Sequence, residues 1–200
     1  MFVQVIKGKA RDAAAVRKQS ERWTSEVRPG AIGFLGSTVG VADDGTFFAF
    51  ARFADAASAM ANAARPEQSA WWDETSRLFD GEPDFRESTD ITTLLDGGSD
   101  TAGFVQVMEG TVADRGKAEA METDEMLEQL RAARPDLIGS VRVWFPGGAF
   151  VEAAYFTSEA DARKGESSAE FSGAEQEFAD LFGEMTYSDL RDPILTSAAR

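Results

Sequence analysis

The sequence predicts an α+β fold made of one unit written twice. The stretch Phe2-Val3-Gln4-Val5-Ile6-Lys7-Gly8 returns as Phe104-Val105-Gln106-Val107-Met108-Glu109-Gly110, with five of the seven positions identical. An aspartate follows each glycine by four residues, Asp12 and Asp114, at the same offset of 102. Both halves then alternate strand-like and helix-like hydrophobic patterns in the same order. The chain has 200 residues, of which 43% are hydrophobic. That is enough for packed cores and suits two units of about 100 residues. The expected units are 1–98 and 103–197, joined by the flexible link Asp96-Gly97-Gly98-Ser99-Asp100.

In the first unit, residues 2–8 are β-branched and aromatic and read as a strand. Asp12 is a good N-cap, because its carboxylate accepts from the free N–H groups of a first helical turn. The helix is expected to run to about Val27, with Val16, Trp23 and Val27 as its buried stripe. Arg28-Pro29-Gly30 ends it. Residues 31–41 read as a second strand, Asp43-Asp44-Gly45-Thr46 as a hairpin turn, and Phe47 to Phe53 as a nearly all-apolar third strand. Asp55 caps a second helix over residues 56–64, which Pro66 interrupts. A further helical segment carries Trp71, Trp72, Leu78 and Phe79 on one broad stripe. Residues 85–95 are the fourth strand.

The second unit repeats this order. Asp114 starts a helix expected to reach Ala133. Arg134-Pro135 stands for Arg28-Pro29 and Ile138-Gly139 for Ile32-Gly33, so the offset grows to 106 there. Phe150 to Phe156 matches Phe47 to Phe53 at an offset of 103. Ser158 takes the capping role of Asp55. Phe171, Ala174, Phe178, Leu181, Phe182 and Met185 form a helical stripe, and residues 186–195 are the last strand.

Each unit thus reads strand, helix, strand, strand, helix, strand, the order of a ferredoxin-like βαββαβ sandwich. The apolar third strands call for cover on both faces. The two sheets are therefore expected to pack face to face as an intrachain pseudo-dimer with a barrel-like centre.

Composition narrows the chemistry. Cysteine and histidine are both absent. This removes disulfides, thiolate nucleophiles, any Ser-His-Asp triad and the usual zinc and haem ligands. The net charge of −15 disfavours nucleic acid and anionic membrane partners. No apolar run reaches the roughly 18 residues of a membrane span, and the N-terminus reads as a strand rather than a secretory signal. The expectations are a cytoplasmic location, and a monomer or a homodimer.

The element order, unit length and tandem copy resemble the dimeric α/β barrel superfamily and, within it, the antibiotic-biosynthesis-monooxygenase-like domains. The resemblance covers nearly the whole chain. It implies a pocket in each unit between the sheet and its helices. The superfamily includes cofactor-free oxygenases of polyketide quinols, haem-degrading enzymes, haem peroxidase relatives and isomerases. The haem-degrading members use a helix histidine that this chain lacks, so no cofactor and no metal are expected.

The resemblance also directs attention to particular residues. Its monooxygenase-like members place an aromatic residue on the second helix, over the substrate. Trp71 and Trp72 match that place and would offer flat walls with N–H donors. Asn62 and Gln4 are polar candidates for orienting a carbonyl or phenolate. Arg52 and Arg86 are candidates for stabilising an oxyanion. Trp72, Asn62 and Arg52 are taken as catalytic, and Trp71, Gln4, Phe79 and Arg86 as substrate-binding. Each has a plainer reading: core tryptophans, a backbone-bonding glutamine, surface arginines. The second unit has nothing like Trp71-Trp72; its polar-tipped aromatics are Trp144, Tyr155 and Tyr187. The functional expectation is a cofactor-independent monooxygenase of a small aromatic or quinol-like compound. The alternatives are a non-catalytic binder of a hydrophobic small molecule, or a structural or interaction protein of the same fold.

Overall fold

The computed structural model describes residues 1–167 and 181–197. It divides the chain into two compact units, Met1–Thr89 with Asp192–Arg200, and Asp90–Arg191.

The first unit is built from β1 (Phe2–Lys9), α1 (Ala13–Arg22), β2 (Phe34–Val41), β3 (Thr46–Phe53), α2 (Ala56–Ala63), α3 (Pro66–Thr75) and β4 (Asp84–Ser88). The caps are where side-chain chemistry puts them. Asp12 accepts from the Ala15 N–H at 3.0 Å and Asp55 from the Ser58 N–H at 2.7 Å. Pro66 opens α3, where its missing N–H costs nothing. After α1 the chain widens into a π turn, Trp23–Val27, before the 3-10 turn Arg28–Gly30. Gly45 supplies the left-handed residue of the β2–β3 hairpin at φ 85°.

The second unit is built from β5 (Ile91–Leu95), β6 (Phe104–Thr111), α4 (Arg115–Met121), α5 (Asp124–Ala133), β7 (Leu137–Trp144), β8 (Ala149–Phe156), α6 (Glu159–Glu166) and β9 (Thr186–Leu190). Asp114 and Ser158 cap α4 and α6 as expected, accepting from Lys117 and Asp161. The predicted single helix over 114–133 is two helices. Glu122 leaves helical angles at ψ 54°, and Thr123 then caps α5 by accepting from Met126 at 3.2 Å.

Each sheet has the ferredoxin-like order plus one strand, all antiparallel. The first runs β10-β2-β3-β1-β4, where β10 is Ile194–Ser197, and the second β5-β7-β8-β6-β9. The extra strands come from the two stretches read as single last strands. Residues 85–95 split into β4 and β5, and residues 186–195 into β9 and β10. In each case the second piece pairs in the sheet of the other unit: β5 with β7, and β10 with β2. The expected boundary at 98 therefore differs from the break after Thr89.

The strands also correct the internal alignment. Phe34 and Leu137 face Phe53 and Phe156; after a bulge, Gly36 and Gly139 face Arg52 and Tyr155. Gly139 thus corresponds to Gly36 at an offset of 103, not to Gly33 at 106. Register is fixed by the ladder and its bulge, whereas the Arg-Pro likeness lies outside the strands. Phe79 is not helical either. It follows the turn Ser76–Leu78 in extended conformation and bridges to Ala10. Of the second unit's predicted stripe, Phe171, Ala174 and Phe178 lie outside the described residues, and Leu181 and Phe182 are buried beside Trp144 and Phe150. No helix among the described residues is long and apolar enough to cross a membrane.

The exchanged strand β5 sets a stringent packing condition. A Cβ on Gly139 would come within 2.6–2.8 Å of Gly97 N, Gly97 O and Leu94 O, all backbone atoms that cannot rotate away. Gly139→Ala is expected to destabilise the chain by about 1–3 kcal/mol, read as a lower urea midpoint. An unchanged midpoint would contradict this seating of β5.

Candidate functional site

A cavity of about 100 Å³ lies in the first unit between the helix-facing side of the sheet and α1, the π turn, α2 and α3. Strand alternation decides which sheet residues reach it. From β1 these are Gln4 and Ile6, and from β3 Phe47, Ala49, Ala51 and Phe53. The alanines leave the space, and the phenylalanines wall its two ends. An apolar cavity of roughly 150 Å³ holds a benzene ring; this space, at about 100 Å³, is smaller and suits the end of a flat molecule.

The walls are aromatic. Trp23 and Trp71 lie 6.4 Å apart between ring centres, Trp71 and Trp72 5.9 Å, and Trp23 meets Phe34 edge-on at 5.1 Å. Two of the three indole N–H groups are committed. Trp71 donates to the Gln19 carbonyl at 2.8 Å, tying α3 to α1, and Trp23 donates to Gln68 Oε1 at 2.7 Å. Trp72, which also lines the cavity, makes no such bond among the described residues. Outside the cavity, Arg22 bonds Glu74 and holds its carboxyl below the usual carboxylate range, with a further bond from Gln19.

The polar groups are few and oriented. Asn62 is 4% exposed. Its Oδ1 accepts from the Ile32 N–H at 3.3 Å and from Arg65 Nη1 at 3.1 Å. Two donors on one side fix the amide orientation, so Nδ2, for which no protein acceptor stands among the described residues, is the end left for the cavity. Arg65 is itself held by the Val27 carbonyl, at 3.2 Å from Nη1 and 3.1 Å from Nη2. Any side chain on Gly30 would strike this guanidinium. Gln4 donates through Nε2 to Glu87 at 2.8 Å, leaving its Oε1 as an acceptor. Ser37, a buried residue, lines the cavity and makes no side-chain hydrogen bond among the described residues. None of the nineteen lining residues carries an ionisable side chain.

Of the residues singled out from sequence, Trp71, Trp72, Asn62 and Gln4 come together here. Phe79 lies behind the wall, in the core with Phe47 at 5.0 Å and against Trp72 at 6.4 Å. Arg52 and Arg86 fall on the other face of the sheet. Arg52 sits between the lining residues Ala51 and Phe53, and Arg86 is paired with Val5, between the lining residues Gln4 and Ile6. Arg52 Nε is buried without a hydrogen-bond partner among the described residues. Trp23, Ser20, Ser37 and Gln68 were not anticipated. Ser20 carried a legible signal: it lies on the stripe Val16, Trp23, Val27, a polar residue where a core helix would place an apolar one.

No family model matches the chain, and no curated protein matches it in sequence. Solved structures do match in three dimensions. A candidate monooxygenase from Lactobacillus acidophilus NCFM is 11% identical, with a TM-score of 0.74 over 99% of this chain and 96% of its own. A second, from Fusobacterium nucleatum, is 10% identical with a TM-score of 0.77 over 98% and 94%. An anthrone oxidase-like protein is 13% identical with a TM-score of 0.65 over 100% and 94%. The chain has the fold of these monooxygenase-like proteins. At such identities the likeness concerns the fold and leaves the chemistry to the site.

The Asn62 anchor separates structure from recognition. Asn62→Ala takes the acceptor from the Ile32 N–H and one acceptor from the Arg65 guanidinium, which keeps the Val27 carbonyl, and is expected to lower stability by about 1–3 kcal/mol. Asn62→Asp keeps both acceptor bonds and should cost clearly less in the same thermal unfolding assay. Equal losses would mean that Oδ1 is not the anchor.

Proposed function

We propose that the first unit binds a small, flat, neutral aromatic compound bearing a carbonyl or hydroxyl group and oxygenates it without a cofactor. The observation that carries this reading is the charge-free aromatic cavity with one oriented amide donor, Asn62 Nδ2. An ionic ligand would lose hydration there and find no counter-charge. A planar ring gains contact with Trp71 and Trp72, and its oxygen gains the Asn62 N–H. The reaction suited to such a site uses the substrate as its own reductant. Once ionised, an anthrone- or naphthol-type ring passes electrons to dioxygen. Collapse of the resulting peroxide turns the activated C–H position into C=O; one oxygen atom stays in the product and the other leaves as water. Asn62 would stabilise the ring oxyanion that precedes this transfer. Fold similarity to an anthrone oxidase-like protein and to candidate monooxygenases supports the same reading.

The absence of an ionisable lining residue also favours a second reading, a carrier or sensor that holds such a ligand without turnover. The two part on oxygen consumption. The oxygenase reading expects uptake above background with anthrone or a naphthohydroquinone, suppressed at least tenfold in Asn62→Asp. Since the cavity holds no protein base, the rate should rise with pH through each substrate's own pKa, not through one value common to all substrates. Background uptake across the panel, together with saturable ligand quenching of tryptophan emission, would favour the binder. Trp72→Phe is expected to reduce that quenching amplitude in either case; an unaltered titration would remove the ligand from this wall.

A further inference from the structure

The two units differ in charge at three of the positions that line the first cavity. Strand register sets the equivalences. Val39 faces Ala49 in the first sheet, and Arg142 faces Glu152 in the second, each 103 residues on. Ser20 lies eight residues after the capping Asp12, as Glu122 does after the capping Asp114. Ser20, Val39 and Ala49 all line the first cavity. Their counterparts are an arginine and two glutamates.

These three side chains bond one another. Arg142 Nε donates to Glu152 at 2.6 Å, Arg142 Nη1 donates to Glu122, and the Ser140 hydroxyl donates to the second Glu152 oxygen. Ser140 corresponds to the partnerless Ser37. Arg142 and Glu152 are each 4% exposed. The guanidinium lies 5.3 Å from the Trp144 ring, 5.7 Å from Phe150 and 5.4 Å from Phe182. Phe150 is the counterpart of the cavity-lining Phe47. A guanidinium suits such a box: its flat faces meet the rings while its edge bonds the carboxylates. A buried ion pair adds little net stability over an apolar pair of like volume. Its presence at three cavity positions at once calls for another reason, and occupying that space is one.

We infer that the second unit carries the same binding cavity in its backbone, filled from within by Arg142, Glu152 and Glu122. Each chain then has one working site, and these three positions decide which unit is open. Emptied, the second site would take the same class of ligand as the first, a small neutral aromatic. The inference rests on the first cavity being a binding space, and not on its being catalytic.

The test exchanges the trio. Glu122→Ser/Arg142→Val/Glu152→Ala carries the first unit's residues into the second, and Ser20→Glu/Val39→Arg/Ala49→Glu does the reverse. Xenon under pressure fills dry apolar cavities whatever their function, so crystals of each protein are pressurised with xenon. Wild type should show xenon in the first unit and none beside Arg142. The first triple variant should add a second xenon position beside residues 142 and 152, and the reverse variant should lose the first one. A folded first variant without the new position would overturn the inference, as would a folded reverse variant that keeps its xenon. Failure of both variants to fold would overturn it too, since the charged trio would then be a requirement of folding and not a filling. Lack of oxygen uptake by wild type would count against the oxygenase reading alone and would leave the xenon result standing.

Discussion

The site depends on the antiparallel pairing of β1 with β3, from Phe2 against Phe53 to Lys9 against Thr46. These two strands lie at the centre of the first sheet, and their side chains alternate strictly between its faces. One residue of slip by β3 would turn Ala49 and Ala51 away from the helices and bring Phe48, Phe50 and Arg52 in. The cavity would then be filled with rings and would gain a charge. Both faces of β3 are buried, with Phe48 and Phe47 alike below 4% exposed, so either register buries apolar surface. What distinguishes the native one is the small residues: only Ala49 and Ala51 leave room above them.

This explains which parts of the molecule were legible in the sequence. The repeat, the caps at Asp12, Asp55, Asp114 and Ser158, and the Asp-Gly hairpin are local chemistry, and local chemistry is written in adjacent residues. The exchange of β5 and β10 is not. Residues 85–95 have the composition of one long strand, and nothing nearby says that its second half pairs with β7. The site divides the same way. Trp71, Trp72, Asn62 and Gln4 line the cavity, each of a suitable type on a suitable element. Arg52 and Arg86 are candidates by type alone, and strand parity, which needs the register, sends them to the opposite face.

The helices impose a second constraint. Arg65 joins a remote group to a local one, the Val27 carbonyl at the end of the π turn and Asn62 in the last turn of α2. Helix ends leave carbonyls unpaired, and a buried one needs a donor. The arginine that meets this need also fixes the amide at the cavity wall, so the geometry of Asn62 depends on the π turn that places Val27. The same turn places Trp23 over the cavity and lets its N–H reach Gln68. The polar groups at the cavity wall are therefore held by helix-end chemistry, and the cavity itself can stay free of charge.

Freedom from charge is a property of this copy and not of the fold. The second unit keeps the glutamine of the first strand, with Gln106 bonding Asp189 as Gln4 bonds Glu87. It keeps the serine of the second strand and the bulge before it. Among its changes, three uncharged cavity residues, Ser20, Val39 and Ala49, give way to Glu122, Arg142 and Glu152. A backbone held by eight-residue strand pairs tolerates either filling, because the ladder bonds do not involve side chains. Arg142 shows how far that tolerance goes. Desolvation pulls its pKa down, and Glu152 and Glu122 more than restore it. The guanidinium charge is thus balanced in the core by the carboxylates of Glu152 and Glu122. Loss of Arg142 or of Glu152 alone would leave the other buried without its main counter-charge, so the filled copy does not open cheaply through either of those single substitutions.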